Sequence, residues 1–147
     1  MLKKSILTLY LLSSTLAFAQ ISLSEVAANE KASVPPPEVI LPSGVVVKIS
    51  QNGTGSKPTS SSTVEVHYRG YFKNNQEFDS SYKRGQTISF PLGNVIPCWT
   101  QGMQQLTEGS KATLYCPSNT AYGSRGAPGA VPPNTDLYFD VELIKVK

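Results

Sequence analysis

The sequence predicts an α+β fold in which an antiparallel β-sheet of about five strands wraps around one short α-helix. Three observations support this class. Several segments alternate apolar and polar residues, as half-buried antiparallel strands do. One segment alone has the residue spacing of a short helix, and no internal repeat is visible. Because a single helix cannot cover both faces of a flat sheet, wrapping the sheet around the helix satisfies both apolar surfaces.

The strand signals begin at Pro42. Residues 45–49 are rich in β-branched side chains, and Asn-Gly-Thr-Gly at 52–55 is a strong turn signal. Residues 63–72 alternate, with Val64, Val66 and Tyr68 on one face and charged or polar residues on the other. Later strands are predicted at 87–90, 112–116 and 136–146.

One helix is predicted over residues 97–106. Pro97 suits the first helical position, where its missing N–H costs nothing. Trp99, Met103 and Leu106 recur at helical spacing and would form its apolar face. A long loop follows at 117–134, where Gly, Ser and Pro are frequent.

The chain of 147 residues is expected to divide into three parts. Residues 1–19 combine Lys3 and Lys4, an apolar run and a final Ala-Phe-Ala, the pattern of a secretory signal peptide. Cleavage after Ala19 would leave 128 residues without a stable membrane anchor. Residues 20–41, which include three consecutive prolines, are expected to form a flexible tail, and residues 42–147 the folded domain. A monomer is the expectation for one domain with a short tail.

Charge and motif content exclude several classes of function. The formal net charge of +3 falls to +1 without the signal segment, and no basic run is present, so nucleic-acid binding is not expected. The single histidine, His67, lies on the polar face of its strand, where a solvated surface residue is expected. A catalytic triad or a metal site would need more ligands, and no phosphate-binding loop follows a strand. No metal and no cofactor are therefore expected.

Aromatic residues stand on the predicted inner faces, with Tyr122 in the long loop. This set has two interpretations, a hydrophobic core or a ligand pocket, and patterning alone leaves both open. Asp79 favours a pocket slightly, because it follows an aromatic residue and lies between apolar strands. The inner-face set comprises Tyr68, Phe78, Phe90, Trp99 and Phe139.

At these residues the sequence resembles the FKBP-type peptidyl-prolyl isomerases, in the exported bacterial form. The resemblance covers about residues 41–147 and rests on six motifs in family order. Each motif alone is weak, whereas six at compatible spacing are specific. The motifs are Val-His-Tyr-Arg-Gly at 66–70, Phe-Asp-Ser-Ser at 78–81, Val-Ile-Pro-Cys-Trp at 95–99, Ala-Tyr-Gly at 121–123, Val-Pro-Pro-Asn at 131–134 and Leu-Tyr-Phe-Asp-Val-Glu-Leu at 137–143.

The resemblance implies a curved antiparallel sheet around a short helix, with a pocket between them that takes a proline ring. Trp99 would form its floor. Tyr122 would reach the substrate with its hydroxyl, Asp79 would lie beside the reacting imide, and the Ile96 N–H would bind a substrate carbonyl. Tyr68 is assigned with Asp79 and Tyr122 to the catalytic group. The substrate-binding walls would comprise Phe78, Phe90, Val95, Ile96, Phe139 and Ile88.

Departures from the family pattern concern three places. Ile88 stands where many members, though not the bacterial ones, have an aromatic residue, which would thin one wall. Ala127 and Ala130 are small residues in the loop that overhangs the pocket, so no substrate preference is assigned. Cys98 replaces the usual glycine before Trp99, and Cys116 faces inward on the strand expected under the helix. We expect these two cysteines to form a disulfide, which would close a loop of about 17–19 residues and contribute on the order of 3 kcal/mol; two buried thiols are the alternative.

The function implied by the resemblance is peptidyl-prolyl cis–trans isomerisation in exported protein chains, in the periplasm or outside the cell. Proline-containing exported polypeptides would be its partners, and macrolide inhibitors would be candidate ligands. Two other functions are kept as alternatives: a non-catalytic module that holds proline segments in the same pocket, and a holdase chaperone with incidental isomerase activity.

Overall fold

A computed structural model describes residues 36–147. Within this range, seven antiparallel strands form one sheet in the order β1-β2-β6-β7-β3-β4, and β5 pairs with β3 beside that path. Two short helices accompany the sheet, and the predicted α+β class is confirmed. The strands are β1 (Glu38–Ile40), β2 (Val46–Gln51), β3 (Thr63–Tyr71), β4 (Glu77–Ser80), β5 (Ile88–Pro91), β6 (Lys111–Cys116) and β7 (Leu137–Val146), and the helices are α1 (Ser81–Arg84) and α2 (Pro97–Met103).

The long strands β3 and β7 show the alternation that the sequence predicts. In β3 the even-numbered residues from Val64 to Gly70 are buried, while the odd-numbered ones are partly exposed. The register pairs Tyr68 with Val141 and Gly70 with Phe139. This pairing brings the inward side chains of two distant segments together on one face of the sheet, the face that α2 covers.

Helix α2 packs closely on β6. A Cβ atom built on Gly102 would lie 3.0 Å from Leu114 Cδ2, so little more than a hydrogen fits at this point. The helix begins at Pro97 as expected but ends at Met103, three residues before the predicted end. The chain continues in tighter turns, with Gln105 N–H donating to Gly102 O at 3.0 Å and Leu106 N–H to Met103 O at 3.1 Å. Leu106 is still buried in the core.

The expectation of about five strands is corrected to seven. The sequence prediction omitted β1, which falls inside the predicted tail 20–41, and treated β4 as the continuation of a turn. In β1, Val39 pairs with Val47 and packs against the core, and Pro37 O accepts from Ile49 N–H at 2.9 Å. Three residues are too short to show a period, so only the partner strand reveals β1. The predicted signal peptide (1–19) and tail residues 20–35 lie outside the described residues.

Of the helices in residues 36–147, none has the length and apolar character needed to cross a bilayer.

Candidate active site

A cavity of about 300 Å³ opens between α2 and the inner face of the sheet. Four strands, the residues before α2 and the loop after β6 all contribute side chains to it. Its lining is mainly aromatic and aliphatic, with Asp79 and Asn94 as the polar exceptions. The lining residues are Tyr68, Phe78, Asp79, Phe90, Asn94, Val95, Ile96, Trp99, Tyr122 and Phe139.

Trp99 forms the floor of the cavity. It is the third residue of α2 and is only 4% exposed. Three rings meet it edge to face, with centroid distances of 5.3 Å to Tyr68, 5.5 Å to Phe90 and 5.4 Å to Phe139. This is a favoured geometry for aromatic pairs, and it fixes the floor from three sides. The Trp99 Nε1 is buried and has no hydrogen-bond partner among the described residues.

The polar edge of the cavity is a cluster of Tyr68, Asp79 and Arg84. The Tyr68 hydroxyl donates a short hydrogen bond to Asp79 Oδ2. Arg84 Nη1 donates to Asp79 Oδ1 at 2.5 Å, and Arg84 Nη2 donates to the Tyr68 hydroxyl oxygen at 3.0 Å. Both oxygens of the Asp79 carboxylate are therefore occupied by donors from the protein itself.

This cluster sets the ionisation of the site. Burial alone would raise the pKa of Asp79, but the hydrogen bonds from Tyr68 and Arg84 and the guanidinium charge outweigh it, so the pKa lies below its ordinary value. Burial, and then the hydrogen bond to Asp79, raises the pKa of Tyr68. At neutral pH the site thus holds a carboxylate and a neutral phenol.

A one-turn helix brings Arg84 to Asp79. Helix α1 begins after Ser80, whose Oγ accepts from Lys83 N–H at 3.3 Å, and it ends at Gly85 with φ of 71°. Ser81 is fully buried, and its Oγ accepts from Tyr68 N–H at 2.8 Å, which ties the helix to β3. The sequence analysis missed Arg84. An N-cap serine followed five residues later by glycine was the signal that could have located the turn.

Tyr122 enters the cavity from the loop after β6 and is 39% exposed. Its hydroxyl hydrogen-bonds to no residue within 36–147, so it is available to a ligand. Burial, and then the charge of Asp79, raises the pKa of Tyr122, which keeps this hydroxyl protonated. The N–H of Ile96, at the start of α2, also donates to no acceptor in that range.

Two cavity assignments from the sequence are revised. Ile88 does not line the cavity but packs against the core beside it, two residues before Phe90 along β5. Two residues of extended strand span about 7 Å, which carries Ile88 past the opening. Asn94 does line the cavity and was not predicted, because it ends an irregular turn at Leu92–Asn94 that has no sequence periodicity.

His67, the single histidine of the chain, contacts two neighbouring side chains. His67 Nδ1 is 2.9 Å from Ser81 Oγ, and its ring stacks on Tyr82, so His67 is a partly buried structural residue and not the fully solvated one expected.

Cys98 and Cys116 are joined by a disulfide with Cα atoms 5.6 Å apart. No group of three or more His, Cys, Asp or Glu side chains in the described range could hold a metal ion.

Comparison with known families identifies the class of protein. The model of the family described as FKBP-type peptidyl-prolyl cis-trans isomerase matches residues 54–144. The chain therefore belongs to the FKBP-type peptidyl-prolyl cis-trans isomerase family. The match begins after β2 and includes every residue that lines the cavity.

Individual relatives agree with this assignment. The chain is 46% identical over 104 residues to the FKBP-type peptidyl-prolyl cis-trans isomerase FkpA of Escherichia coli K12. The aligned region covers 71% of this chain and 38% of FkpA. The chain is 44% identical over 107 residues to the peptidyl-prolyl cis-trans isomerase Mip of Coxiella burnetii, covering 73% of this chain and 46% of Mip. The chain thus spans less than half the length of these relatives.

Solved structures show the same fold. The crystal structure of Escherichia coli FkpA superposes with a TM-score of 0.73 at 40% identity, covering 83% of this chain and 57% of that one. A peptidyl-prolyl cis-trans isomerase from Pseudomonas syringae pv. tomato gives a TM-score of 0.71 at 38% identity, covering 82% and 86%. The predicted FKBP-like fold is confirmed.

Proposed function

We propose that this protein accelerates cis–trans isomerisation of X-Pro bonds in exported protein chains. One observation carries the proposal: an aromatic cavity holds an ionised Asp79 at its edge, with the Tyr122 hydroxyl and the Ile96 N–H unpaired within residues 36–147. Family membership supports the reaction class. The proposed substrates are proline-containing segments of unfolded or partly folded polypeptides.

The cavity suits a reaction in which no covalent bond is made or broken. Rotation about a peptide bond has a barrier of about 18–20 kcal/mol, because resonance shares the nitrogen lone pair with the carbonyl. X-Pro bonds exchange over tens to hundreds of seconds without a catalyst. Resonance places charge on the carbonyl oxygen, which water stabilises. Transfer of the imide to an apolar cavity removes that water and favours the less polar, twisted state.

Asp79 is assigned an electrostatic and positioning role and not that of a general base. Its two oxygens already accept from Tyr68 and Arg84, and its pKa is lowered, so it is a weak proton acceptor. A fixed carboxylate can instead stabilise the charge distribution of the twisted imide. Tyr122 and the Ile96 N–H would hold the carbonyl groups on either side of proline, which selects the twisted geometry by differential binding.

The test is exchange kinetics on a series of short X-Pro peptides with different residues before proline. The mature protein is compared with the double variant Asp79→Val, Tyr122→Phe. We expect rate enhancement by the wild type and a large loss in the double variant. Tyr138→Phe is a matched control for Tyr122→Phe. It also removes a tyrosine hydroxyl, but from the outer face of the sheet, where Tyr138 stacks on Tyr71.

Two results would count against catalysis. If the wild type accelerates none of the peptides while a labelled proline peptide still binds, the protein is a binding module. If the double variant is as active as the wild type, catalysis occurs elsewhere than in this cavity.

The proposed cellular setting is the periplasm. The export pattern of residues 1–19 supports it, and one relative, 42% identical over 109 residues, is the outer membrane protein MIP of Legionella longbeachae. Macrolide binding is proposed as a property of the same cavity, and competition between a macrolide and a proline peptide would test it.

A further inference from the structure

The Cys98–Cys116 disulfide joins two chain segments, α2 and the end of β6, that each lead directly to a residue lining the cavity. Cys98 lies in the first turn of α2, directly before the floor residue Trp99. Cys116 ends β6, and the loop that follows it carries Tyr122. The two cysteines are 18 residues apart in sequence. Neither lines the cavity, and both are fully buried.

Beyond its buried apolar packing, the first turn of α2 has few side-chain hydrogen bonds to the rest of the fold. The helix has only seven residues, shorter than helices that are stable on their own. Its N-cap residue, Ile96, has no side-chain hydrogen bond to the helix. Thr100 Oγ1 donates to Leu92 O at 2.6 Å, which ties the helix to the preceding turn but not to β6. The disulfide is therefore the covalent tie between the first turn of α2 and the end of β6.

The far side of the tie is also anchored. Ser118 N–H donates to Asp136 Oδ1 at 2.8 Å, and Tyr115 OH donates to Asp136 Oδ2 at 2.9 Å. Asp136 thus holds the chain on both sides of Cys116. A bond from Cys98 to an anchored Cys116 restrains Trp99 in a way that a bond to a mobile segment would not.

We infer that the Cys98–Cys116 disulfide is a positioning element of the active site. It holds Trp99, at the floor of the cavity, in a fixed position relative to the loop that carries Tyr122. The inference rests on the proposed isomerase function for its kinetic part. Both cysteines are positioning residues because they act through Trp99 and Tyr122. Small displacements of groups that orient a substrate can cost up to about a hundredfold in rate, so the bond affects turnover as well as stability.

The experiment compares the oxidised wild type with Cys98→Ala, Cys116→Ala. A second variant, Cys98→Ala, Cys116→Val, refills space on β6 with a residue that favours strands. Mass spectrometry after alkylation without reductant first establishes that the wild type carries the bond. The kinetic readouts are kcat and KM on a proline peptide. The structural readout is the indole N–H resonance of Trp99, the single tryptophan of the chain.

We expect kcat to fall roughly tenfold in both variants with a smaller change in KM, because the apolar walls remain while the alignment is lost. The Trp99 indole resonance should broaden or split. Leu143→Ala is the control for stability, since Leu143 is fully buried in β7 away from the bridge and the cavity. It should lower the melting temperature without changing kcat or the indole resonance at temperatures where all the proteins are folded.

Two outcomes would overturn the inference: two alkylated cysteines in the unreduced wild type, or folded variants with unchanged kcat and one sharp indole resonance. A different result identifies failure of the proposed function alone. In that case the wild type has no isomerase activity, but the Trp99 indole resonance still changes in the cysteine variants and stays unchanged in Leu143→Ala. The bridge then positions a binding site.

Discussion

Arg84 Nη1 lies 2.5 Å from Asp79 Oδ1, so the carboxylate at the edge of the cavity is held by a cation from the helix that follows its own strand. The side chains of Arg84 and Asp79 are 42% and 40% exposed, and solvent therefore weakens the attraction between their charges. The pair still matters to the site because Arg84 also donates to the Tyr68 hydroxyl, which binds the other Asp79 oxygen. Asp79 is thus oriented from two directions, by Arg84 five residues later in the chain and by Tyr68 on the neighbouring strand β3.

Replacing Arg84 with Gln should move the acid limb of the activity profile to higher pH. In the wild type the pKa of Asp79 lies below its ordinary value of 3.8, so the carboxylate stays ionised at a lower pH than an ordinary aspartate would. Without the guanidinium, the effect of burial, which raises the pKa, is opposed mainly by Tyr68. At neutral pH, kcat/KM should fall only modestly, because Asp79 stays ionised without the guanidinium and solvent screens the attraction within this exposed pair. The measurement is kcat/KM between pH 3 and 8.

Arg84→Gln should also lose folding stability at a higher pH than the wild type as the solution is acidified. Asp79 has a lower pKa in the folded protein than in the unfolded chain, so it stabilises the fold above the unfolded pKa, and this contribution is lost as pH falls through the folded value. Lys83→Gln is the control, since Lys83 pairs with Glu77 and not with Asp79. An acid limb that does not move in Arg84→Gln would show that the pair does not control Asp79.

Gly70→Ala should destabilise the protein and distort one wall of the cavity. A Cβ atom at Gly70 would lie 2.6 Å from the Phe78 ring and 2.9 Å from the Phe139 ring, so both rings must shift. Overpacking of this kind costs about 1–3 kcal/mol. Urea unfolding measures the loss, and proline-peptide affinity should fall as well. Gly93→Ala is the control, because its nearest neighbour would be 3.7 Å away; equal effects of the two changes would contradict the steric explanation.

Trp99 separates isomerase-dependent folding assistance from a holdase activity. Trp99→Ala removes the cavity floor and should cost about 3–5 kcal/mol, so Trp99→Phe, which keeps a ring, is tested beside it. We expect acceleration of the refolding of a proline-limited protein to fall in both variants, more in Trp99→Ala. Light scattering of an aggregating client gives the second readout. Protection from aggregation that is unchanged in folded Trp99→Ala would favour the holdase function.

Export should remove residues 1–19. The pattern of Lys3, Lys4 and a final Ala-Phe-Ala predicts cleavage after Ala19, because signal peptidases read small residues at these positions. N-terminal sequencing of protein from the periplasmic fraction should therefore begin at Gln20. Replacing Ala19 with a bulky residue such as Phe should block processing. Protein that retains Met1 and stays in the cytoplasm would contradict the proposed export.

Local patterns made much of the fold predictable. The alternation of Val64, Val66 and Tyr68 identifies β3 because side chains in a strand point to opposite faces in turn. Pro97 and the spacing of Trp99 and Met103 identify α2 for the corresponding reason in a helix. These signals need only a few neighbouring residues, so they survive without knowledge of the partner segments. Residue patterning and the family resemblance together predicted nine of the ten cavity residues, all except Asn94.

The sequence by itself determined the fold class, the aromatic character of the inner face and the candidacy of Asp79 as its polar residue. The tertiary structure decided which residues meet. Strand β1 exists because its edge pairs with β2, Ile88 misses the cavity because of its place along β5, and Arg84 reaches Asp79 because Ser81 ties α1 to β3. The physical reason is that side-chain period depends on local backbone geometry, whereas contacts between distant segments depend on sheet register and packing.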